Sequence, residues 1–148
     1  MASALEDRLA IRELVDRYGD AVNRRDPRAW LATWADEPSW ELFGRPMQGR
    51  DAIASAFENA LGMLRLVVQT AAHGVIELDG PRARGRWLVS EWSESEALGR
   101  LLLHFFYHDE YARGAEGWRF RSRRMELLYQ GPPDLSGRSF RPGERGEP

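Results

Sequence analysis

The sequence predicts an α+β domain in which N-terminal helices pack on a mostly antiparallel sheet. Apolar residues recur at helical spacing through the first 64 residues, and from residue 66 onward they recur at every second position. This change of period indicates that the helices come first and that the strands follow as a meander. A chain of 148 residues is long enough for one core. We therefore predict one domain over residues 1–130, followed by a loop and a frayed end over residues 131–148, which are rich in Gly, Pro and Arg.

Three helices are predicted in the first half of the chain. The first covers about residues 5–24, where one apolar stripe contains Ile11, Leu14, Val15, Tyr18, Ala21 and Val22. Asp26 suits an N-cap, and Pro27 suits the first position of a short second helix. Residues 39–44, SWELFG, are typical of a short strand that ends at a turn. Asp51 is a candidate cap for the third helix, whose stripe contains Ile53, Ala56, Phe57, Ala60, Leu61 and Leu64.

Four strands are predicted after the helices, over residues 66–78, 84–92, 101–113 and 118–129. The third of these strands is apolar on both faces: one face carries Leu101, Leu103, Phe105, Tyr107 and Tyr111, and the other carries Leu102, His104 and Phe106. Because a domain of this size covers only one face of its sheet, the second face predicts an interface. We expect a second copy of the chain to cover it, which gives a homodimer in which His104 and His108 contact the partner. A long covering loop is the alternative.

Composition argues against several classes of function. A net charge of −2 gives no general attraction to nucleic acid or to anionic membranes. The absence of Cys excludes disulfides, thiolate metal sites and cysteine nucleophiles. MASALEDRLA at the N-terminus does not resemble a secretory signal, and no segment approaches the ~20 apolar residues of a membrane span. We expect a cytoplasmic protein without metal or cofactor and without nucleic-acid or membrane partners.

Several segments in order resemble one family. These are AIRELVDRYGDAVNRRD, WADEPSWELFG, GRDAI, VIELDGPRARGRW, YHDEYAR and GWRFRSRR. Together they are similar to the SnoaL-like branch of the nuclear transport factor 2-like superfamily, which includes scytalone dehydratase, hexachlorocyclohexane dehydrochlorinase and polyketide cyclases. The resemblance implies a curved sheet wrapped around helices into a cone, with an apolar pocket along its axis. It also implies proton removal from a small hydrophobic molecule by a positioned base, although the superfamily contains non-catalytic binding proteins too.

The resemblance assigns four candidate catalytic residues. Tyr18 falls on the pocket-lining position of the first helix, and Asn23 falls where relatives carry the Asp that pairs with a catalytic His. That His corresponds to His73, and the Arg after the GW motif corresponds to Arg123. For Tyr18, a core tyrosine with a satisfied hydroxyl is an equal alternative. The alternating charges of RFRSRR are typical of a solvated strand face, whereas an inward Arg123 would bind an oxyanion or a leaving group.

The chain departs from the family pattern at two of these positions. Asn23 cannot ionise, so it can orient a histidine only through a hydrogen bond. Strand alternation places Gln69, His73 and Glu77 on one face, opposite to Ile76. A bulge near Gly74 is therefore needed to turn His73 towards the core.

Five further residues are predicted to bind the substrate: Trp40, Phe57, Glu91, Leu103 and Tyr107. Trp40 and Tyr107 are assigned by the resemblance, and apolar residues in this fold form both core and pocket wall. Glu91 is in register with Trp87 and Val89, so its carboxyl is predicted to point inward. We favour an ion pair with an Arg for Glu91, and the alternative is a base whose pKa is raised by an apolar pocket.

The function predicted from these residues is a cofactor-independent lyase or isomerase of dehydratase or cyclase type. Its substrate would be a small hydrophobic molecule with a carbonyl or hydroxyl group. His73 would be the general base, Tyr18 the donor to the substrate oxygen, Asn23 the orienting group and Arg123 the stabiliser of charge. The alternative is a non-catalytic dimeric protein that binds a small ligand in the same pocket.

Overall fold

The structure, a computed structural model, describes residues 2–144. The helices are α1 (Ala4–Asn23), α2 (Pro27–Leu31) and α3 (Arg50–Met63). The strands are β1 (Trp34–Leu42), β2 (Arg45–Gln48), β3 (Leu64–Asp79), β4 (Arg82–Ser95), β5 (Gly99–Gly114), β6 (Gly117–Gly131) and β7 (Arg138–Ser139). Helices precede the long strands, which confirms the α+β prediction.

All seven strands form one curved sheet in the order β2-β1-β6-β5-β4-β3, and β7 pairs with β6. The pairing of β1 with β6 is parallel and the other pairings are antiparallel. β3 is therefore an edge strand. We call the side of the sheet that faces the helices the inner face and the opposite side the outer face.

The helices begin at local signals in the sequence. Ser3 caps α1 by accepting a hydrogen bond from the Glu6 amide at 3.2 Å, and Glu6 accepts one from the Ser3 amide in return. Asp26 caps α2 through the Ala29 amide, as expected. Asp51 does not cap α3: its N-cap is Gly49, and Asp51 lies in the first turn. The acid there still complements the positive end of the helix dipole.

Buried aromatic side chains join the helices to the inner face. The indole of Trp30 stacks on the Phe57 ring with 4.1 Å between centroids, and this contact holds α2 against α3. Tyr18 of α1 packs edge-on against Phe120 of β6 and Tyr107 of β5. These contacts place three helices over one side of the sheet and leave the other side uncovered by helix.

A bulge interrupts the pairing of β3 with β4. Between the pairs Ala71–Val89 and Gly74–Trp87, β3 has two residues and β4 has one. The side chains that point inward are at odd positions before the bulge, such as Gln69, and at even positions after it. The predicted bulge exists, but it does not turn His73 inward, because the extra residues Ala72 and His73 are both exposed.

Two elements differ from the sequence prediction. The strand predicted at residues 39–44 begins earlier, at Trp34, and a second strand, β2, follows it as a hairpin. The segment expected to be a loop contains β7, in which Ser139 pairs with Tyr129. The last part of the predicted loop and frayed end, residues 145–148, lies outside the described residues. Within residues 2–144, no helix is both long and apolar enough to cross a membrane.

Candidate active site

A cavity of about 300 Å³ lies between α1, α3 and the inner face of the sheet. Its wall is mainly apolar, with a few hydroxyl, amide and carboxyl groups. The residues that line it are Tyr18, Val22, Trp40, Leu42, Phe43, Phe57, Ala60, Leu61, Met63, Leu64, Val67, Gln69, Glu91, Ser93, Ser95, Leu98, Leu101, Leu103, Tyr107, Met125 and Gln130. A cavity of this size and lining is suited to a small hydrophobic ligand.

Two tyrosine hydroxyls meet at the inner end of the cavity. The hydroxyl oxygens of Tyr18 and Tyr107 are 3.4 Å apart, and the indole N–H of Trp40 donates to Tyr107 at 3.3 Å. Burial raises the pKa of both hydroxyls, and that of Tyr107 rises well above its ordinary value. Both groups are therefore protonated at neutral pH and can donate hydrogen bonds to a ligand oxygen.

Arg123 lies directly behind these hydroxyls, in the core. Its guanidinium carbon is 4.0 Å from the ring centroid of Tyr107, 4.4 Å from that of Tyr18 and 4.3 Å from that of Phe120. Its side chain is only 1% exposed and does not line the cavity. The expected direct contact of Arg123 with a substrate is therefore not found. The rings of Tyr18 and Tyr107 lie between its guanidinium and the cavity, so Arg123 acts on a ligand only by the electrostatic effect of its charge across these rings.

Asp109 is the counter-ion of Arg123. Its carboxylate accepts hydrogen bonds from Nε at 2.8 Å and from Nη2 at 3.1 Å, and it also accepts one from the Tyr111 hydroxyl at 2.6 Å. Burial lowers the pKa of Arg123, but the charge and hydrogen bonds of Asp109, together with Tyr18 and Tyr107, outweigh this effect and the net pKa is raised. Arg123 thus remains a fixed cation in the core, which corrects the interpretation of RFRSRR as a solvated face at this position.

Glu91 is the one acidic residue in the cavity wall of the described chain. Its Oε2 accepts a hydrogen bond from Nε2 of Gln69 at 2.8 Å, and Oε1 accepts none from residues 2–144. Glu91 is half-buried where it borders the cavity, and this partial desolvation raises its pKa despite the Gln69 hydrogen bond. The ion pair with Arg that we favoured is wrong, since no ion pair in the described chain includes Glu91.

Asn23 lies at the end of α1, outside the cavity. Its amide Nδ2 donates to the Gln69 carbonyl oxygen at 2.8 Å, and its Oδ1 accepts from the Gln69 backbone N–H at 2.6 Å. It contacts the edge of β3 and does not contact a histidine, so the expected orientation of His73 by Asn23 is not found.

His73 lies on the outer face. Its exposed side chain borders a surface depression with Arg86, Phe106 and His108, and the sheet separates it from Tyr18. Gly74, the next residue, takes the inward position beside Trp87. The geometry therefore does not support His73 as a base for a ligand in the cavity.

Six of the nine predicted site residues line the cavity together: Tyr18, Trp40, Phe57, Glu91, Leu103 and Tyr107. The polar residues that sequence reasoning missed are Gln69, Ser93, Ser95 and Gln130. Ser93 was detectable, because it continues the alternation of Val89 and Glu91 along β4. Gln69 was assigned to the other face, because the bulge reverses the alternation on which that assignment rested.

No metal site is apparent in the part of the chain that the structure describes. Residues 2–144 contain no group of three or more His, Cys, Asp or Glu side chains arranged to hold a metal ion. The cavity wall offers single oxygen ligands only, from Glu91 and from hydroxyl and amide groups. These groups are suited to hydrogen bonding with an organic ligand.

Several solved structures share this architecture. A protein of Kribbella flavida is 23% identical, with a TM-score of 0.81 over 90% of this chain and 98% of the other. A protein of Novosphingobium aromaticivorans named as a candidate scytalone dehydratase is 18% identical, with a TM-score of 0.81 over 97% of both chains. The type 3 hexachlorocyclohexane dehydrochlorinase of Novosphingobium barchaimii is 20% identical, with a TM-score of 0.80 over 93% of this chain and 96% of the other.

These likenesses confirm the expected cone-shaped fold of the nuclear transport factor 2-like superfamily. No curated protein matches the sequence. A model of the SnoaL-like domain, however, matches residues 3–124, from the cap of α1 into β6. Because the matched residues make up most of this chain, the chain belongs to the family of SnoaL-like domains.

Proposed function

We propose that this protein is a cofactor-independent lyase or isomerase, of dehydratase or cyclase type, that removes a proton from a small hydrophobic molecule in the cavity. One observation carries the proposal: Glu91 is a single carboxyl group in a cavity wall that is otherwise uncharged. A carboxylate of raised pKa in such a place is a stronger base than one in water. Glu91 takes the role that the sequence had suggested for His73.

The chemistry divides between the two polar parts of the cavity. Oε1 of Glu91 takes a proton from a carbon next to a carbonyl group, and the electrons of the C–H bond form a C=C bond. The carbonyl oxygen becomes an enolate oxygen, which the hydroxyls of Tyr18 and Tyr107 stabilise by hydrogen bonding. Arg123 lies behind both rings and favours negative charge at this end of the cavity.

Either of two second steps removes the proton from Glu91 and so restores its carboxylate. In a dehydration, the enolate re-forms the carbonyl as a β C–O bond breaks, and the leaving hydroxide takes the proton from Glu91 to become water. In an isomerisation, Glu91 returns the proton to a different carbon of the same molecule. The names of the structural neighbours, a dehydrochlorinase and a candidate dehydratase, are those of elimination enzymes and support the first of these two steps.

Deuterium exchange tests the proposal without knowledge of the natural substrate. The probes are 2-tetralone, 2-indanone and phenylacetone, apolar ketones with acidic α-protons, incubated with the protein in D₂O and followed by proton NMR. We expect faster α-exchange with the wild type than without protein, and a loss of about 100-fold or more in Glu91→Gln. Glu77→Gln is the matched control, because it removes an exposed carboxylate from the outer face.

The experiment also separates the proposal from the non-catalytic alternative. A binding protein would show saturable binding of the ketones with no exchange above the rate without protein. An unchanged exchange rate in Glu91→Gln would refute the assigned base. No feature of the cavity wall in residues 2–144 favours the non-catalytic alternative over the enzyme.

A further inference from the structure

The edge strand β3 is held to α1 by a side chain that acts as a strand partner. A peptide unit in a sheet offers one donor and one acceptor to its neighbour. The amide of Asn23 offers the same pair to Gln69, at 2.8 Å and 2.6 Å. An Asp would supply no donor and would place a negative charge against the Gln69 carbonyl oxygen. The geometry therefore accounts for an amide at position 23.

Gln69 transmits this attachment into the cavity. Its backbone groups point to Asn23, away from β4, so the cross-strand pair Gln69–Glu91 is of the type without mutual backbone hydrogen bonds. Side chains of such pairs are closest, with about 4.5 Å between Cα atoms. The Gln69 side chain is buried and uses this proximity to donate to Oε2 of Glu91 at 2.8 Å.

We propose that Asn23 is a positioning residue for Glu91, acting from outside the cavity through Gln69. The chain of contacts runs from the Asn23 amide to the Gln69 backbone, and from the Gln69 side chain to one oxygen of Glu91. With Oε2 held, Oε1 is the oxygen directed to a ligand. The inference rests on the proposed function for its catalytic consequence, but the contact chain can be measured without any substrate.

The first measurement is the titration of Glu91 by carbon NMR of its side-chain carboxyl. Loss of the Asn23 contacts in Asn23→Ala frees Gln69, and loss of the Gln69 hydrogen bond raises the pKa of Glu91 further. We expect a higher titration midpoint in Asn23→Ala. The other titratable groups in the cavity wall, Tyr18 and Tyr107, have pKa values raised by burial, so an acidic midpoint there belongs to Glu91.

The matched control is Arg8→Ala. Arg8 also joins α1 to the backbone of β3, by donating to the Ile76 carbonyl at 2.6 Å, but it is remote from Gln69 along the strand. We expect the Glu91 midpoint in Arg8→Ala to equal that of the wild type. A shift of the same size in both variants would overturn the inference, because it would reflect general loosening of β3.

A double-mutant cycle supplies the second test. If Asn23 acts through Gln69, Asn23→Ala has no further effect on Glu91 in a Gln69→Leu background. Additive shifts would overturn the inference. Asn23→Ser, which keeps a polar side chain but not the paired donor and acceptor, replaces Asn23→Ala should the latter fail to fold.

Ketone exchange then reports the catalytic consequence. At pH values where Glu91 is ionised in both proteins, we expect kcat in Asn23→Ala to fall by about tenfold, because the lost orientation of Oε1 outweighs the higher basicity of the carboxylate. KM should be unchanged, because Asn23 does not line the cavity. The pH profile of kcat should move upward with the Glu91 midpoint. If the midpoint moves while the wild type shows no exchange, the positioning chain holds and the proposed reaction fails. If Asn23→Ala alters neither quantity, the positioning chain itself is wrong.

Discussion

Glu91 combines a position suited to catalysis with a cost in stability. Desolvation raises its pKa above the ordinary value of 4.5, so the folded protein binds the Glu91 proton more tightly than the unfolded chain does. The stability that Glu91 contributes is therefore full below pH 4.5 and is lost as pH rises towards the raised pKa. At neutral pH, the ionised carboxylate destabilises the fold.

Replacement of Glu91 by Gln should separate the two effects. We expect Glu91→Gln to have a higher Tm than the wild type at pH 7, because it removes a desolvated charge and retains an acceptor for Gln69. At this chain length about 1 kcal/mol corresponds to ~2–4 °C in Tm, so the difference is measurable by calorimetry. The difference should shrink as pH falls through the raised pKa of Glu91 towards 4.5, and it should change little below pH 4.5. A Tm difference that is equal at pH 4 and pH 7 would contradict the assigned desolvation.

At the residue scale, alternation along a strand predicted which side chains point inward more reliably than it predicted their partners. Glu91 and Tyr107 were correctly placed on the inner face, because β4 and β5 alternate without interruption there. The partner of Glu91 was missed, because it depends on the face of Gln69, on another strand. Arg123 was placed by resemblance alone, and its burial depends on Asp109, which the sequence does not distinguish from a surface acid.

At the scale of elements, the bulge in β3 controls which residues reach the core. After it, Gly74 faces inward, and a Cβ atom at this position would lie 2.4 Å from ring atoms of Trp87. Trp87 is buried and its indole N–H donates to Tyr111 at 2.7 Å, so moving the ring aside would disturb core packing and break this hydrogen bond. Glycine is therefore needed here for space and not for backbone conformation.

We expect Gly74→Ala to destabilise the protein by about 1–3 kcal/mol, as overpacking of a core does. Gly19→Ala is the matched control, because Gly19 lies within α1 and an added Cβ would meet no atom within 4 Å. Alanine favours the helix there by about 0.5–1 kcal/mol. Free energies of unfolding from urea titration measure both changes. Equal changes in the free energy of unfolding for the two substitutions would show that the Trp87 ring shifts to accommodate the new Cβ atom and that the close contact does not destabilise the protein.

The elements that sequence predicted well are those with local signals. Both ends of α1 lie within one residue of prediction, because the amphipathic stripe on which that prediction rested depends only on nearby residues. β2 was missed, since its four residues, Arg45–Gln48, show no alternation and are fixed by pairing with β1. The bulge was anticipated near Gly74, but which residues it turns inward depends on the register with β4.

At the scale of the whole molecule, the order of helices and strands predicted the fold class, whereas the sheet order depends on distant pairing. The parallel contact of β1 with β6 joins residues that are far apart in sequence and leaves no local pattern. The prediction of a homodimer also belongs to this scale. Apolar side chains exposed on the outer face include Leu66, Val68, Val75 and Trp92, and all three histidines lie on this face.

The chemistry of the outer face suits contact with its own copy. Exposed acids, Glu77 and Glu110, lie beside Arg84 on neighbouring strands, and Trp92 is 46% exposed. A twofold axis brings one patch against itself, so a patch with both signs of charge and an apolar part can be self-complementary. We expect light scattering after gel filtration to give twice the 17.0 kDa chain mass for the wild type.

Trp92→Glu should then reduce the mass to that of one chain, because it places a desolvated charge in the interface. Leu5→Glu is the control: Leu5 is 67% exposed, but it lies on α1, away from the outer face. A wild type that elutes as a monomer would contradict the homodimer, and a monomer from Leu5→Glu but not from Trp92→Glu would place the interface on the helices. Because Trp92 points away from the cavity, ketone exchange by monomeric Trp92→Glu would further show whether one chain is sufficient for activity.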